Sequence, residues 1–310
     1  MKVIYGLGKL KAPLKNTCCA IGIFDGLHRG HQYLIGQMIK KAKQLKARSM
    51  VITFFPHPAH VLRPDIDLPY LVSLPQRLKL IEQMGVDICV VIGFNNSFAT
   101  IEPQGFITDV LCKRLGVKAV FVGEDFRFGR KRQGDAALFR ACSEKCGYTF
   151  HAVGAVTSAG QVISSTRLRQ LIAQGQLSKA RQLLGRRFTV EGNVVAGSRR
   201  GRKLGYPTAN VSTDQQVLLP RGVYVVQVRI ATQQFNAIAN IGTRPSFQEK
   251  EKKVHLEVYV LDVQKNFYGK KVTVEFIKKI RDEKMFNSAE ELITQIRRDE
   301  RIARQYFSKS

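Results

Sequence analysis

The stretch CCAIGIFDGLHRGH, residues 18–31, passes from an apolar run into a loop that holds glycines and two histidines. After this loop, apolar residues recur at helical spacing, at Leu34, Met38, Ala42 and Leu45. The stretch therefore predicts a strand, a short loop and a helix in direct succession.

The same alternation continues to about residue 184. Short apolar runs predict strands over residues 18–24, 50–55, 86–94, 117–123 and 148–156. Helical patterns lie between them, over residues 75–84, 103–115 and 135–146. Alternation of strand and helix favours a doubly wound parallel sheet. Because such sheets bind ligands beyond the carboxyl ends of their strands, the loop after Phe24 is the first candidate site.

The pattern changes from Phe188 onward. Strand-like segments separated by turn residues cover 188–196, 222–230, 235–241, 255–263 and 271–280, and a last helix begins at Ser288. We predict a small β-barrel with a C-terminal helix. The domain boundary is expected near residue 185, which gives a first domain of residues 1–184 and a second of residues 185–310.

Composition limits the classes of function. The chain has 310 residues, and its 50 Lys and Arg against 24 Asp and Glu give a net charge of +26, of which +15 lies in residues 1–184 and +11 in 185–310. Such a surplus suits polyanionic partners, and phosphorylated small molecules fit as well as nucleic acid. Apolar runs too short to cross a membrane, the lack of a secretory leader and six cysteines without a CxxC pair predict a cytoplasmic protein without structural zinc.

Two histidines dominate the first candidate site. His28 and His31 are three residues apart at a helix entrance and can project to one side, while Gly30 lets a nucleotide approach the backbone. Residues 163–169, ISSTRLR, add hydroxyls and arginines at the start of another helix, a composition that suits phosphate. Two alternatives remain open on these residues alone: the histidines could be metal ligands or satisfied loop residues, and Ser164 or Ser165 could be a helix cap.

The second candidate site is a loop of glycines and cations at residues 197–206 together with the Pro207-Thr208-x-Asn210 turn that follows it. The spacing differs from that of a Walker A loop. Small residues still allow backbone contact with phosphates, and Thr208 and Asn210 offer oxygen ligands to magnesium. The alternative is a solvated basic turn.

Glu257 is a carboxylate in an otherwise apolar strand, where it needs a partner or a function. The alternative is a residue on the solvent face of an edge strand.

The motifs of the first half together resemble a known superfamily. His28-x-Gly30-His31 and the 163–169 motif are similar to those of the HxGH nucleotidyltransferases. The segments TFFPHP at 53–58 and VGEDFRFG at 122–129 narrow the resemblance to the bacterial bifunctional riboflavin kinase/FMN adenylyltransferases, the prokaryotic FAD synthetases.

The second half resembles the riboflavin kinase module of the same family. The motifs that carry this likeness are GVY at 222–224, NIGTRP at 240–245, LEVYVLD at 256–262 and FYG at 267–269. With both halves matched, the resemblance covers nearly the whole chain.

The resemblance implies two reactions. Riboflavin would be phosphorylated by ATP to FMN, and AMP would then pass from ATP to the FMN phosphate, giving FAD and pyrophosphate, with Mg²⁺ as cofactor. The implied partners are riboflavin, FMN, FAD and ATP, with neither nucleic acid nor a membrane required. The sequence is silent on the oligomeric state.

The resemblance also implies roles for individual residues. Glu257 would be the general base of the kinase, and Thr208 and Asn210 would bind magnesium. Adenylyl transfer would depend on His28, His31 and Arg169. The remaining ATP-binding residues would be Gly22, Phe24, Asp25, Gly30, Ser164, Ser165, Thr166, Gly197, Arg202, Gly205 and Pro207, in addition to Thr208 and Asn210. The flavin-binding residues would be Phe54, His57, Pro58, Asp125, Phe126, Arg127, Phe128, Arg281 and Glu283.

Three other functions compete with this interpretation. A class I aminoacyl-tRNA synthetase shares the H-x-G-H loop but needs a KMSKS-like loop, which the sequence lacks. An RNA-binding protein would suit the charge but would leave Glu257 and two phosphate-type loops without a function. A chain that has kept the fold and lost one activity is the third. Because both sets of motifs are present, we expect both reactions.

Overall fold

The computed structural model describes residues 1–10, 12–196, 205–213, 218–243, 254–263 and 265–309. Within this part of the chain, six strands form one sheet in which every neighbouring pair is parallel, in the order β1-β4-β3-β2-β5-β6. These strands are β1 Lys2–Tyr5, β2 Thr17–Ile21, β3 Arg48–Phe55, β4 Ile88–Gly93, β5 Val117–Gly123 and β6 Thr149–Val153. The sheet confirms the predicted parallel architecture and adds β1, which is too short to give a periodic signal.

Helices cover both faces of this sheet. They are α1 Arg29–Gln44, α2 Pro58–Leu62, α3 Leu74–Gln83, α4 Asn96–Ala99, α5 Pro103–Gly105, a π-helix Phe106–Arg114 and α6 Ala136–Cys146. On one face, Met38 packs with Val51, and on the other, Phe139 packs with Val120. A small hairpin, β7 Thr157–Ser158 and β8 Gln161–Val162, follows β6.

The prediction of one α-helix over residues 103–115 is wrong about the type of helix. The short helix α5 passes directly into the π-helix, and the Leu115 N–H donates to the carbonyl of Val110, five residues back. The apolar pattern predicted a helix here but not this wider winding.

The strand predicted over residues 18–24, which is β2 in the structure, also ends earlier than expected. It stops at Ile21 rather than at Phe24, because the backbone then turns through left-handed conformations at Phe24 (φ 53°), Gly26 (φ 77°) and Leu27 (φ 40°). The loop closes at His28, the N-cap of α1. The predicted order of strand, loop and helix is thus confirmed, with a longer loop.

The rest of the chain begins with α7 Ser165–Ala173 and α8 Leu177–Leu184 and continues as a barrel. The barrel strands are β9 Phe188–Val195, β10 Thr208–Ser212, β11 Gly222–Ile230, β12 Gln233–Thr243, β13 Val254–Val260 and β14 Lys271–Arg281, and α9 Ala289–Ser308 follows them. In the described residues these strands close an antiparallel barrel in the order β10-β13-β12-β11-β14-β9. The predicted β-barrel with its C-terminal helix is confirmed.

One prediction inside the barrel is wrong: the Thr208-x-Asn210 segment is a strand and not a turn. In β10, Val211 pairs with Leu256 on one side and with Val194 on the other, and all three side chains are buried. Hydrogen bonds on both edges of β10 therefore keep this segment extended.

The chain divides into two compact units. The first unit is Met1–Leu68 with Leu74–Ser164, and the second unit is Pro69–Ser73 with Ser165–Ser310. Helices α7 and α8 thus belong to the unit that holds the barrel. A functional boundary at 184/185 stays a prediction. No helix in the described ranges is long and apolar enough to cross a membrane.

Candidate active sites

Residues 22–31, which comprise the loop after β2 and the first residues of α1 and are here called the histidine loop, hold the two predicted histidines against each other. His28 caps α1, and its Nδ1 accepts a hydrogen bond from the His31 N–H at 3.3 Å. The two imidazoles stack with their centroids 3.6 Å apart, and the Phe24 ring meets His31 edge-on at 5.2 Å. Because Nδ1 of His28 accepts a hydrogen bond, neutral His28 carries its proton on Nε2. The two histidines are therefore held together as one stacked pair.

The surroundings of His31 decide its charge. Desolvation lowers its pKa well below the ordinary histidine value, and the nearby His28 and Arg77 add to this shift. Its Nδ1 is buried without a hydrogen-bond partner among the described residues. His31 is therefore neutral at physiological pH and offers a phosphate group a hydrogen bond rather than a full positive charge.

Glycines let this loop pack closely. A Cβ on Gly22 would lie 2.9 Å from the Phe24 ring, and one on Gly30 would lie 3.2 Å from the His28 ring. The same position at Gly30 is 3.8 Å from the carbonyl oxygen of Ile163. The beginning of the second predicted motif thus lies beside the histidine loop, and Ser164 follows directly in the same unit.

The remainder of that motif belongs to the second unit. Ser165 and Thr166 open α7, and Arg169 lies one turn further along it. The Nε of Arg169 donates to the carbonyl of Pro69 at 2.7 Å. This bond holds the guanidinium against the 69–73 segment of the same unit.

Asp25 has a partner that the sequence did not reveal. Asp25 is 2% exposed, and its Oδ1 lies 3.9 Å from Nη2 of the fully buried Arg77 on α3. Arg77 is four residues from Ile81, which is also buried, so a cation occupies the apolar face of α3. The only sequence signal was an arginine at a position that helical spacing places on the apolar face of α3. The helical pattern alone could not show whether this arginine is buried or exposed to solvent.

An apolar pocket lies where β2 to β5 reach their carboxyl ends. Five predicted flavin-binding residues line it: Phe54, Pro58, Phe126, Arg127 and Phe128. Two others lie outside the lining. His57 caps α2 by accepting the Ala59 N–H at 3.0 Å, and Asp125 is exposed.

The sequence predicted five of the thirteen described residues that line this pocket. The additional lining residues are Ile23, Leu62, Phe94, Phe98, Ile101, Phe106, Gly129 and Arg132. Phe94 directly follows β4. Ligands of parallel sheets bind beyond the carboxyl ends of the strands, so the same rule that pointed to the loop after Phe24 would also have pointed to Phe94. The ring centroids of Phe98 and Phe54 lie 6.0 Å apart, and those of Phe126 and Phe128 lie 5.8 Å apart with 15° between the ring planes. Aromatic walls of this kind suit a flat ring system.

The barrel carries a row of polar residues across three strands. In register, Glu257 on β13 faces Asn210 on β10 and Asn240 on β12. Leu256 and Val258 are buried inside the barrel, so Glu257 points outward. Since β13 is paired on both sides, the alternative of an edge-strand carboxylate is wrong. Thr208, two residues before Asn210, shares this outer face.

Glu283 extends this polar row. A Cβ placed on Gly242 would collide with the Glu283 carboxylate and would lie 3.4 Å from Nδ2 of Asn240. Glu283 therefore lies over β12 beside Asn240, and Gly242 is required for this approach.

Arg281 has a different environment. Its Nε donates to both carboxylate oxygens of Asp299, at 3.1 and 2.9 Å, and its Nη1 donates to the Asp282 carbonyl. Asp299 is 2% exposed and also accepts from Gln295 at 2.9 Å. This ion pair ties β14 to α9, and nothing in the sequence pattern indicated it.

The residues around Thr208 fit magnesium. Gly205 takes a left-handed conformation (φ 84°) and Pro207 precedes β10, whereas Gly197 and Arg202 lie outside the described residues. Within the described ranges no group of three or more His, Cys, Asp and Glu side chains could hold a metal ion. A hydroxyl and an amide oxygen suit Mg²⁺, which takes few protein ligands and keeps water and phosphate oxygens.

Two family models match the two halves of the chain separately, which defines a flavin-nucleotide transferase of two catalytic parts. The family model of FAD synthetase matches residues 10–167, and that of riboflavin kinase matches residues 184–307. A relative from Escherichia coli K12, named bifunctional riboflavin kinase/FMN adenylyltransferase, is 38% identical over 99% of this chain and 98% of its own length. One of the same name from Buchnera aphidicola subsp. Schizaphis graminum is 35% identical over 99% of each chain.

The chain therefore belongs to the bifunctional riboflavin kinase/FMN adenylyltransferase family. It phosphorylates riboflavin to FMN and transfers AMP from ATP to FMN, and its substrates and products are riboflavin, FMN, FAD and ATP. The crystal structure of a protein from Streptococcus pneumoniae, named macrolide-efflux protein, superposes with a TM-score of 0.87 at 30% identity over 98% of this chain and 99% of that one. That name belongs to the Streptococcus pneumoniae protein alone, and the match shows the shared fold.

Proposed function

We propose that the two reactions use separate sets of residues, with adenylyl transfer assigned to the histidine loop and phosphorylation to the outward row on the barrel. The stacked His28–His31 pair supports the first assignment, because Ile23 in the same loop also lines the aromatic pocket. The register that aligns Glu257 with Asn210 and Asn240 supports the second. The functional domains are residues 1–184 and 185–310.

In adenylyl transfer, an oxygen of the FMN phosphate attacks the α-phosphorus of ATP, and the bond to the departing pyrophosphate breaks. No protein nucleophile is needed. Neutral His31 and His28 donate hydrogen bonds to phosphate oxygens as charge builds toward the leaving group, and the N-terminus of α1 favours the same charge. Gly22, Phe24, Asp25 and Gly30 shape this loop.

The 164–169 motif binds the triphosphate through Ser164, Ser165, Thr166 and Arg169, as the family resemblance implies. The isoalloxazine ring occupies the aromatic pocket. Phe54, Pro58, Phe126 and Phe128 contact the ring, and His57, Asp125 and Arg127 act at the margin of the pocket.

In phosphorylation, the Glu257 carboxylate takes the proton from the riboflavin 5′-hydroxyl as that oxygen attacks the γ-phosphorus of ATP and ADP leaves. Thr208 and Asn210 would hold Mg²⁺, which would offset negative charge on the phosphates. Gly197, Arg202, Gly205 and Pro207 form the ATP loop. Glu283 and Arg281 bind the flavin side, with Arg281 set in position by Asp299.

We place these reactions in the cytoplasm. The six cysteines, at positions 18, 19, 89, 112, 142 and 146, are free thiols, which suits a reducing compartment.

Two variants of the full chain test the assignment. Glu257→Gln removes the proton acceptor, so we expect FMN formation to fall by about a hundredfold or more while FMN-to-FAD conversion continues. His31→Ala should lower FAD formation from FMN and leave FMN formation unchanged. Chromatography with riboflavin or FMN as substrate measures each reaction separately.

Matched controls exclude general effects. Glu290→Gln changes an exposed carboxylate on α9, and His151→Ala removes a histidine on β6. Both should keep both activities. Loss of both reactions in Glu257→Gln, or full FAD formation by His31→Ala, would contradict the two-site assignment.

A further inference from the structure

Arg77 is the largest of the fully buried side chains in the described residues, and its exposed fraction is 0%. Removing a guanidinium from water is costly unless hydrogen bonds and an opposite charge compensate for the loss. Hydrophobic packing of α3 does not need this cation, because Leu78 and Ile81 already supply the apolar contacts. A cation retained here has a further purpose.

The contacts of Arg77 join two different strand ends. Its Nη1 donates to the carbonyl of Ile23, at 3.0 Å, and to the carbonyl of Phe54, at 3.3 Å. Its Nη2 lies 3.9 Å from the Asp25 carboxylate. Ile23 and Asp25 belong to the histidine loop, whereas Phe54 belongs to β3. One planar group thus fixes the loop relative to the neighbouring strand.

The histidine loop needs such a support. Phe24 and Leu27 hold positive φ angles of 53° and 40°, which cost free energy in residues other than glycine. A loop with this backbone keeps its conformation only if contacts with the surrounding residues stabilise it. Besides Arg77, the Thr53 hydroxyl donates to the same Ile23 carbonyl at 2.9 Å.

Both carbonyls held by Arg77 come from residues that line the aromatic pocket, Ile23 and Phe54. The loop that carries Ile23 leads directly into His28 and the first turn of α1, which carries His31. The Arg77 guanidinium therefore determines the distance between the flavin pocket and the phosphate-binding histidines.

We propose that Arg77 is a positioning residue for adenylyl transfer, which holds the histidine loop at the correct distance from the flavin pocket. It touches neither substrate and acts through the Ile23 and Phe54 carbonyls and the Asp25 carboxylate. This inference rests on the proposed role of the histidine loop. Its effect is on geometry, and small displacements of reacting groups lower the rate constant more than they lower binding.

Arg77→Lys is the most informative variant, because lysine keeps the charge but cannot hold two carbonyls and a carboxylate with one planar fork. We expect kcat for FMN-to-FAD conversion to fall by about tenfold to a hundredfold, with smaller changes in KM for FMN and ATP. Riboflavin phosphorylation by the same preparation is the internal control and should be unchanged. Lys79→Met alters an exposed cation two residues along α3 and should match the unaltered protein.

A wild-type kcat in Arg77→Lys would overturn the proposal, and so would a rise in KM without a fall in kcat. If that variant is too unstable to assay, Thr53→Val removes only the other donor to the Ile23 carbonyl, and a kcat lower by about fivefold is expected. A wild-type kcat in Thr53→Val would then overturn the proposal. If the unaltered chain forms no FAD from FMN and ATP, the proposed function itself fails.

Discussion

His31 shows how the surroundings of one side chain determine its chemistry. Burial removes water from the imidazole, and the neighbouring His28 and Arg77 lower its pKa further. All three effects favour the neutral ring. A neutral donor that is already in place needs little reorganisation when a phosphate arrives, which is the property expected of groups that stabilise a developing charge.

The charge state of His31 can be measured directly. We expect its imidazole in the folded protein to stay neutral as pH falls through about 6.5, where an exposed histidine takes up a proton. Because the pKa is lowered in the folded state, the unfolded chain binds the proton first. The stability contribution of neutral His31 is therefore present above about pH 6.5 and is lost as pH falls toward the lowered pKa.

NMR titration of the imidazole tests this expectation, with His31→Ala used to assign the signal. The urea-unfolded chain provides the control, since all its histidines should titrate near the ordinary value. Titration of folded His31 at or above that value would contradict the account.

Single residues were predictable from the sequence where a local motif carried them. His28, Gly30, His31 and Glu257 all stand in short recognisable patterns, and the structure places the first three together at the N-terminus of α1. Arg77 was not predictable. Its significance depends on carbonyls that are 54 and 23 residues away along the chain.

At the scale of elements, α9 is attached to the barrel by an ion pair and an apolar patch. Asp299 accepts two hydrogen bonds from Arg281 of β14, and Ala303 packs with Val225 and Ile238. A second arginine–aspartate pair, Arg304 with Asp262, has equally good geometry at 2.8 Å for both bonds but lies in solvent. Comparing the two pairs therefore separates the effect of burial on stability from the effect of hydrogen-bond geometry.

Asp299→Asn should lower the free energy of unfolding by about 2 kcal/mol, because the partly buried Arg281 loses its counter-charge. Asp262→Asn, the matched control, should change it by less than about 1 kcal/mol, since exposed pairs are screened by water. Urea unfolding monitored by circular dichroism compares the two. Equal effects, or a larger one at Asp262, would contradict this account of how α9 is held.

Elements were predictable where they are long and periodic. The five longer strands of the sheet, α1 and the strands from β11 onward follow the apolar pattern closely. The pattern failed at β1, at the π-helix and at β10. β1 is four residues long, and β10 is held by pairing with β9 and β13, which are distant in sequence.

At the scale of the whole molecule, one chain joins two units that each resemble a complete enzyme module. The sequence predicted this organisation because the hydrophobic period changes from alternating strand and helix to strands alone. It did not predict that helices α7 and α8 pack with the barrel unit, because helical periodicity says nothing about the neighbours of a helix. The aromatic pocket was predicted only in part, because its lining residues come from four strand ends that are distant in sequence.

The central claim is that this single chain performs both reactions, one after the other. Purified protein is incubated with riboflavin, ATP and Mg²⁺, and the flavins are separated by chromatography over time. We expect FMN to appear first and then to decline as FAD accumulates. FMN that accumulates without FAD, even when FMN is supplied as the substrate, would contradict the claim, and so would riboflavin that remains unchanged.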